Sequence, residues 1–122
     1  RRLNILRDYR FYLLDILEAI EKIKRYTSEK DFKAFAEGDL TVDAVLRNLE
    51  IIGEAVKHIP EEAKENYPDI KWKEIGGMRD KLIHDYFGVD HELVWKVITE
   101  DIFELEKQVK NILNEVGIPK FP

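Results

Sequence analysis

The segment Thr41-Val42-Asp43-Ala44-Val45-Leu46-Arg47-Asn48-Leu49-Glu50-Ile51-Ile52-Gly53-Glu54-Ala55-Val56-Lys57-His58-Ile59-Pro60 decides the fold. Its residues Val42, Val45, Leu46, Leu49, Ile52, Val56 and Ile59 recur at steps of three and four, the period of an amphipathic helix. Asp39 or Thr41 can cap its start, and Pro60, which lacks an amide hydrogen, ends it. The same period continues on both sides. Leu3, Leu6, Tyr9, Leu13, Ile16, Leu17, Ile20 and Ile23 predict a long first helix. Ser28 and Asp31 begin a short second one through Phe32 and Phe35, closed by Gly38. After a polar connector from Glu61 to Tyr67, the residues Trp72, Ile75, Met78, Leu82 and Phe87 predict a fourth helix that Gly88 ends. Asp90 caps a long fifth helix, whose apolar row from Leu93 to Val116 closes at Gly117 and Pro119.

No segment alternates apolar and polar residues for long, and no internal repeat or flexible linker interrupts the pattern. The expected fold class is therefore all-α, a bundle of four to five main helices in a single domain over residues 1–122. Several apolar arcs are wider than one neighbour covers, with Tyr12 and Trp95 at their edges, which predicts dimerisation through helices.

Composition narrows the setting. A chain of 122 residues with 44% apolar content can bury one real core. It has no cysteine, so disulfides and thiolate metal sites are excluded. No apolar run approaches the roughly 18 residues of a membrane span, and the first residues lack the apolar block of a signal peptide. A cytoplasmic protein with no membrane association is the expectation. The formal charge of −5 argues against holding nucleic acid by bulk electrostatics, so any such contact is local or transient. Arg1, Arg2, Arg7 and Arg10 against Asp8 make the first helix locally basic, either as a solvated helix end or as a phosphate contact.

Chemistry concentrates in Gly77-Met78-Arg79-Asp80-Lys81-Leu82-Ile83-His84-Asp85-Tyr86-Phe87, where a cation, an imidazole and a phenol stand among core-type residues. If the fourth helix is continuous at about 100° per residue, Arg79 falls about 40° and Tyr86 about 20° from Ile75, inside the apolar stripe. An arginine there needs a carboxylate, an aromatic face or a phosphate to offset desolvation, and Glu54 on the third helix is the expected partner. His84 lies about 140° around from Arg79. Either the helix ends near His84 beside a wide pocket, or each pocket draws its groups from two chains; the second arrangement is expected.

A histidine and an arginine together suit metal-independent cleavage of an RNA phosphodiester. The imidazole of His84 takes the 2′-hydroxyl proton or gives one to the leaving 5′-oxygen, and Arg79 meets the phosphate with its fork. Acid and base roles at once call for two imidazoles, again favouring a dimer. Asp80, one turn before His84, can orient the imidazole or face solvent. His58 and His91 read as structural, the first near a helix C-terminus where positive charge is favoured. There is no H-E-x-x-H, no compact acidic cluster and no Gly-rich phosphate loop, so neither a metal nor a cofactor is expected.

Arg79, His84 and Tyr86 form an R-x4-H-x-Y motif, and with it the chain resembles the HepT-like HEPN-domain ribonuclease toxins. Arg47 to Ala55 resembles that family's third-helix signature, and Trp72 to Phe87 its active-site helix. The resemblance implies a HEPN-like bundle that forms a homodimer, with a metal-independent endoribonuclease cleft at the interface containing Arg79 and His84 of both chains. It also implies a minimal nucleotidyltransferase antitoxin as partner, which transfers AMP to the motif tyrosine, here Tyr86. Phosphate and adenine would then compete with RNA for Arg79. Two further readings remain open: a non-catalytic HEPN module binding a nucleotide or a partner, and a structural dimer whose Arg79 merely pairs with Glu54.

Overall fold

The computed structural model describes residues 7–84 and 88–120, His84 through its backbone only. Leu3, Leu6, Arg1 and Arg2, and also Asp85, Tyr86 and Phe87, lie outside the described residues. The first helix, α1 (Tyr9–Thr27), lies along α3 (Asp39–His58), with the short α2 (Phe32–Glu37) between them in sequence. α4 (Glu61–Glu65) is a single turn within the polar connector. α5 (Trp72–Gly76) and α6 (Met78–Leu82) pack on α3. α7 (His91–Lys96) runs through a π-helical turn, Val97–Asp101, into α8 (Ile102–Val116), which packs on α1. The fold is all-α, as the periodicity predicts. Among the described residues no helix is long and apolar enough to cross a membrane.

Sequence spacing explains which faces meet. Leu13, Ile16, Ile20 and Ile23 of α1, Val45, Leu49, Ile52 and Val56 of α3, and Val109 and Ile112 of α8 are buried in one cluster. Side-chain caps fix three helix starts. Asp8 accepts from the Arg10 amide at 3.0 Å, Asp31 from Ala34 at 2.8 Å and Asp90 from Leu93 at 3.1 Å. α3 departs from expectation: neither Asp39 nor Thr41 caps it, because the helix begins one residue earlier and the Gly38 carbonyl accepts from Val42 at 2.9 Å.

The predicted fourth helix is not continuous. It breaks at Gly77 between α5 and α6 and stops at Leu82, where Ile83 turns extended at φ −122° and ψ 117°. The Leu82 carbonyl accepts the Asp90 amide at 2.8 Å, a bond across the strand pair and not along a helix. Ile83 and His84 form β1 (Ile83–His84), paired antiparallel with β2 (Gly88–Val89), and Gly88 takes the positive φ of 76°. Of the two arrangements open for the Arg79–His84 pair, the helix thus ends before His84. The 140° separation no longer requires a second chain.

The fifth helix is interrupted where its apolar residues step by four. Val94, Ile98 and Ile102 are all buried, yet each four-residue step drifts about 40° on an α-helix. The wider π turn at Val97–Asp101 keeps that row facing the core. Trp95 is covered within the chain by Phe35 at 5.3 Å and Phe32 at 6.1 Å between ring centroids. It therefore does not need a partner subunit to cover it.

Two of the N-terminal arginines are engaged inside the fold. Arg10 binds Asp8 at 2.8 Å and donates to the carbonyls of Val116 at 3.0 Å and Gly117 at 3.3 Å, tying the start of α1 to the end of α8. Arg7 pairs with Asp15 at 2.7 Å.

At this same C-terminal end of α8, the Tyr67 hydroxyl donates to Glu115 at 2.7 Å, and the Trp72 indole donates to the Tyr67 carbonyl at 3.1 Å. The bond to the Glu115 carboxylate, aided by partial burial, pushes the Tyr67 phenol up to about 12. A folded value raised above the ordinary one, about 10, contributes stability below the ordinary value and loses it as pH rises through the folded one. Tyr67→Phe should accordingly flatten the alkaline limb of the urea-midpoint profile between pH about 10 and about 12, relative to the unaltered protein.

Candidate active site

One turn of α3 meets the α5–α6 junction with no side chain between them. A Cβ added at Gly53 would stand 3.3 Å from the Ile75 carbonyl oxygen and 3.5 Å from that of Gly76. Only glycine lets the junction lie this close to α3 without displacing it. The chain then bends at Gly77 and enters α6, whose first turn carries Arg79 and Asp80. The polar face of α3, Arg47, Glu50, Glu54 and His58, turns away from the core row and toward the same place. Between α1, α3 and the junction lies an open groove of about 320 Å³ lined by all six of these side chains.

Arg79 does not sit in an apolar stripe. The break at Gly77 resets the helical phase, and its side chain is 54% exposed. Its expected partner is also different. Nε lies 3.6 Å from Glu50, one turn before Glu54, and Nη1 lies 3.8 Å from Asp80. Glu54 is turned instead to Lys57 at 3.5 Å. Both contacts of Arg79 are longer than a hydrogen bond, and its guanidinium makes none among the described residues. The guanidinium thus lies beside two carboxylates with its donors unbonded among the described residues.

Asp80 is held in the groove beside Arg79, its side chain 89% exposed. His84 follows Leu82 by two residues along β1, so its backbone is fixed next to α6 by the strand pairing. Tyr86 lies outside the described residues. The structure thus brings Arg79, Asp80 and Glu54 to one groove and sets the His84 backbone after the helix that carries Arg79.

Two residues with no functional role in the sequence reading also line this groove. Arg47 is exposed and makes no ion pair or hydrogen bond among the described residues, three positions before the carboxylate that meets Arg79. His58, which reads in the sequence as a structural residue near a helix C-terminus, lines the groove and stacks on Tyr12 with ring centroids 5.1 Å apart. The signal was available: positions 47, 50, 54 and 58 share one helical face, which reads as solvated until α5 and α6 are laid against it. A second cavity, about 550 Å³, lies between α6, α7 and α8, but among the described residues neither an arginine nor a histidine lines it.

Residues 16–112 match the family described as Ribonuclease HepT-like. The chain belongs to that family. It is 48% identical over 106 residues to a protein of Thermococcus cleftensis named "Probable ribonuclease HepT", covering 87% of this chain and 96% of that one. A Caldanaerobacter subterraneus protein named "Putative RNase" is 47% identical over 104 residues, 85% of this chain and 93% of its own. A Methanocaldococcus jannaschii protein of the same designation is 44% identical over 110 residues, 90% and 95% of the two chains. No solved structure matches. The HepT-like match spans α3, the glycine contact, α6 and both short strands.

The junction makes a direct demand on position 53. Gly53→Val should push Ile75 and Gly76 outward and cost about 1–3 kcal/mol. Urea unfolding measures the loss, and a variant as stable as the parent would show that the close approach is not needed.

Proposed function

We propose that the chain is an endoribonuclease of the toxin type that cleaves RNA phosphodiesters without a metal ion. The observation that carries this reading is the open guanidinium of Arg79, which is oriented by Glu50 and Asp80 and hydrogen-bonded to neither. Membership of the HepT-like family and the relatives' ribonuclease names support it. In this reading Arg79 takes two oxygens of the scissile phosphate with its fork and stabilises the charge that develops there. The 2′-hydroxyl attacks phosphorus, His84 accepts its proton or protonates the departing 5′-oxygen, and the products are a 2′,3′-cyclic phosphate and a 5′-hydroxyl end. Asp80 serves as a supporting carboxylate, whereas Glu54 acts on the groove through Lys57.

Homodimerisation belongs to the proposal, because acid and base catalysis in one cleft use two copies of His84. So do a cytoplasmic setting and a minimal nucleotidyltransferase antitoxin that transfers AMP to the Tyr86 hydroxyl, adding negative charge and bulk next to Arg79. A second reading, a non-catalytic module that binds a nucleotide or a partner, is favoured by the carboxylates of Glu50 and Asp80 beside Arg79, which disfavour a long polyanion.

His84→Ala should lower RNA cleavage by about 10²–10⁴-fold with the helical circular dichroism unchanged, and Arg79→Ala by about 10²–10³-fold. A His84→Ala protein that cuts RNA at the parental rate would remove the catalytic reading and leave the binding module. Intact mass after co-expression with a nucleotidyltransferase checks the regulation. Mass should rise by whole AMP units, and the increase should vanish in Tyr86→Phe.

A further inference from the structure

The groove extends past Arg79. At its other end the His58 imidazole stacks on the Tyr12 phenol, with centroids 5.1 Å apart and planes 15° from parallel, and the Arg7 guanidinium carbon lies 4.8 Å from the Tyr12 centroid. Tyr12 is anchored against the hydrophobic core, while His58 is exposed. The fold gives His58 no hydrogen bond or ion pair among the described residues, only the stack, so one ring face rests on Tyr12 and the residue stays accessible on the other.

Distance decides what this pair can do. Glu50, which meets Arg79, and His58 are two four-residue steps apart on α3, which at about 1.5 Å per residue is about 12 Å along its axis. A stacked strand rises about 3.4 Å per nucleotide, so the interval equals roughly three or four nucleotides. His58 is too far along the groove to exchange a proton at the phosphate held by Arg79. Charge does not link the two ends, because Lys57 is paired with Glu54 and Arg7 with Asp15. Stacking is the interaction left, and every nucleobase offers a face for it.

We propose that the Tyr12–His58 stack is a nucleobase platform that holds single-stranded RNA roughly three or four nucleotides from the phosphate at Arg79. It supplies by stacking the hold on the strand that an acidic protein lacks in bulk charge. The inference rests on the ribonuclease reading above.

Cleavage of an oligoribonucleotide of about ten nucleotides, compared with a dinucleotide, tests it. His58→Ala should raise KM for the longer substrate by about 5- to 100-fold, leave kcat and all dinucleotide kinetics unchanged, and be rescued by His58→Phe, which keeps a stacking ring. An unchanged KM, or equal losses in the Ala and Phe variants, would overturn the platform. So would a change of association state on sedimentation of His58→Ala, which would make the stack part of a protein interface. If the parent protein cuts neither substrate, the catalytic reading fails by itself, and fluorescence anisotropy with the same oligonucleotide decides the platform. Binding lost in His58→Ala and kept in His58→Phe supports it, and no binding by the parent overturns it.

Discussion

The approach of the α5–α6 junction to α3 at Gly53 is the constraint on which the rest of the site depends. With hydrogen as the side chain, the carbonyls of Ile75 and Gly76 rest against the helix at distances a methyl group would already crowd. That contact fixes where the chain bends at Gly77, hence where α6 begins and where Arg79 meets Glu50. A glycine inside a helix costs about 0.5–1 kcal/mol relative to alanine. In α3 that cost is tied to the geometry of the groove.

The site also depends on a helix that stops early. Had the chain stayed helical through Phe87, Arg79 and His84 would have diverged around the axis. Capture of the Leu82 carbonyl by the Asp90 amide and the pairing of Ile83 with Val89 take His84 off the helix altogether. A two-residue ladder is weak by itself, but Asp90 simultaneously caps α7, so one residue both closes the hairpin and starts the next helix.

The parts of the fold carried by long apolar rows were legible in the sequence. Val42 to Val56 and Leu13 to Ile23 specify buried faces unambiguously, and Asp31, Asp90, Gly38 and Gly117 mark real boundaries. The interruptions were not legible, because each depends on a distant partner. Nothing local in Leu82-Ile83-His84 announces a bond from Asp90, and the four-residue steps of Val94, Ile98 and Ile102 read as α-helical until the core row must be kept in line. At the site, Arg79 was found as a chemical oddity, but its neighbour was misassigned by one turn, Glu54 for Glu50, since the phase reset at Gly77 is a tertiary effect. His58 reads in the sequence as a structural residue near a helix C-terminus and Arg47 as part of the third-helix pattern, because the polar face they share becomes a groove wall only when α5 and α6 are laid against it.

In the proposed function Arg79 is a phosphate-binding cation held ready by carboxylates that do not saturate it. The most direct measurement is the ¹⁵N–¹H resonance of the Arg79 side chain during titration with a short RNA whose 2′-hydroxyl at the scissile position is replaced by hydrogen, so that it binds without being cut. A phosphate-binding Arg79 should give a saturable shift of its Nε–H signal that a Glu50→Gln change alters and inorganic phosphate competes away. An Arg79 signal that stays fixed while the RNA is shown to bind would contradict it.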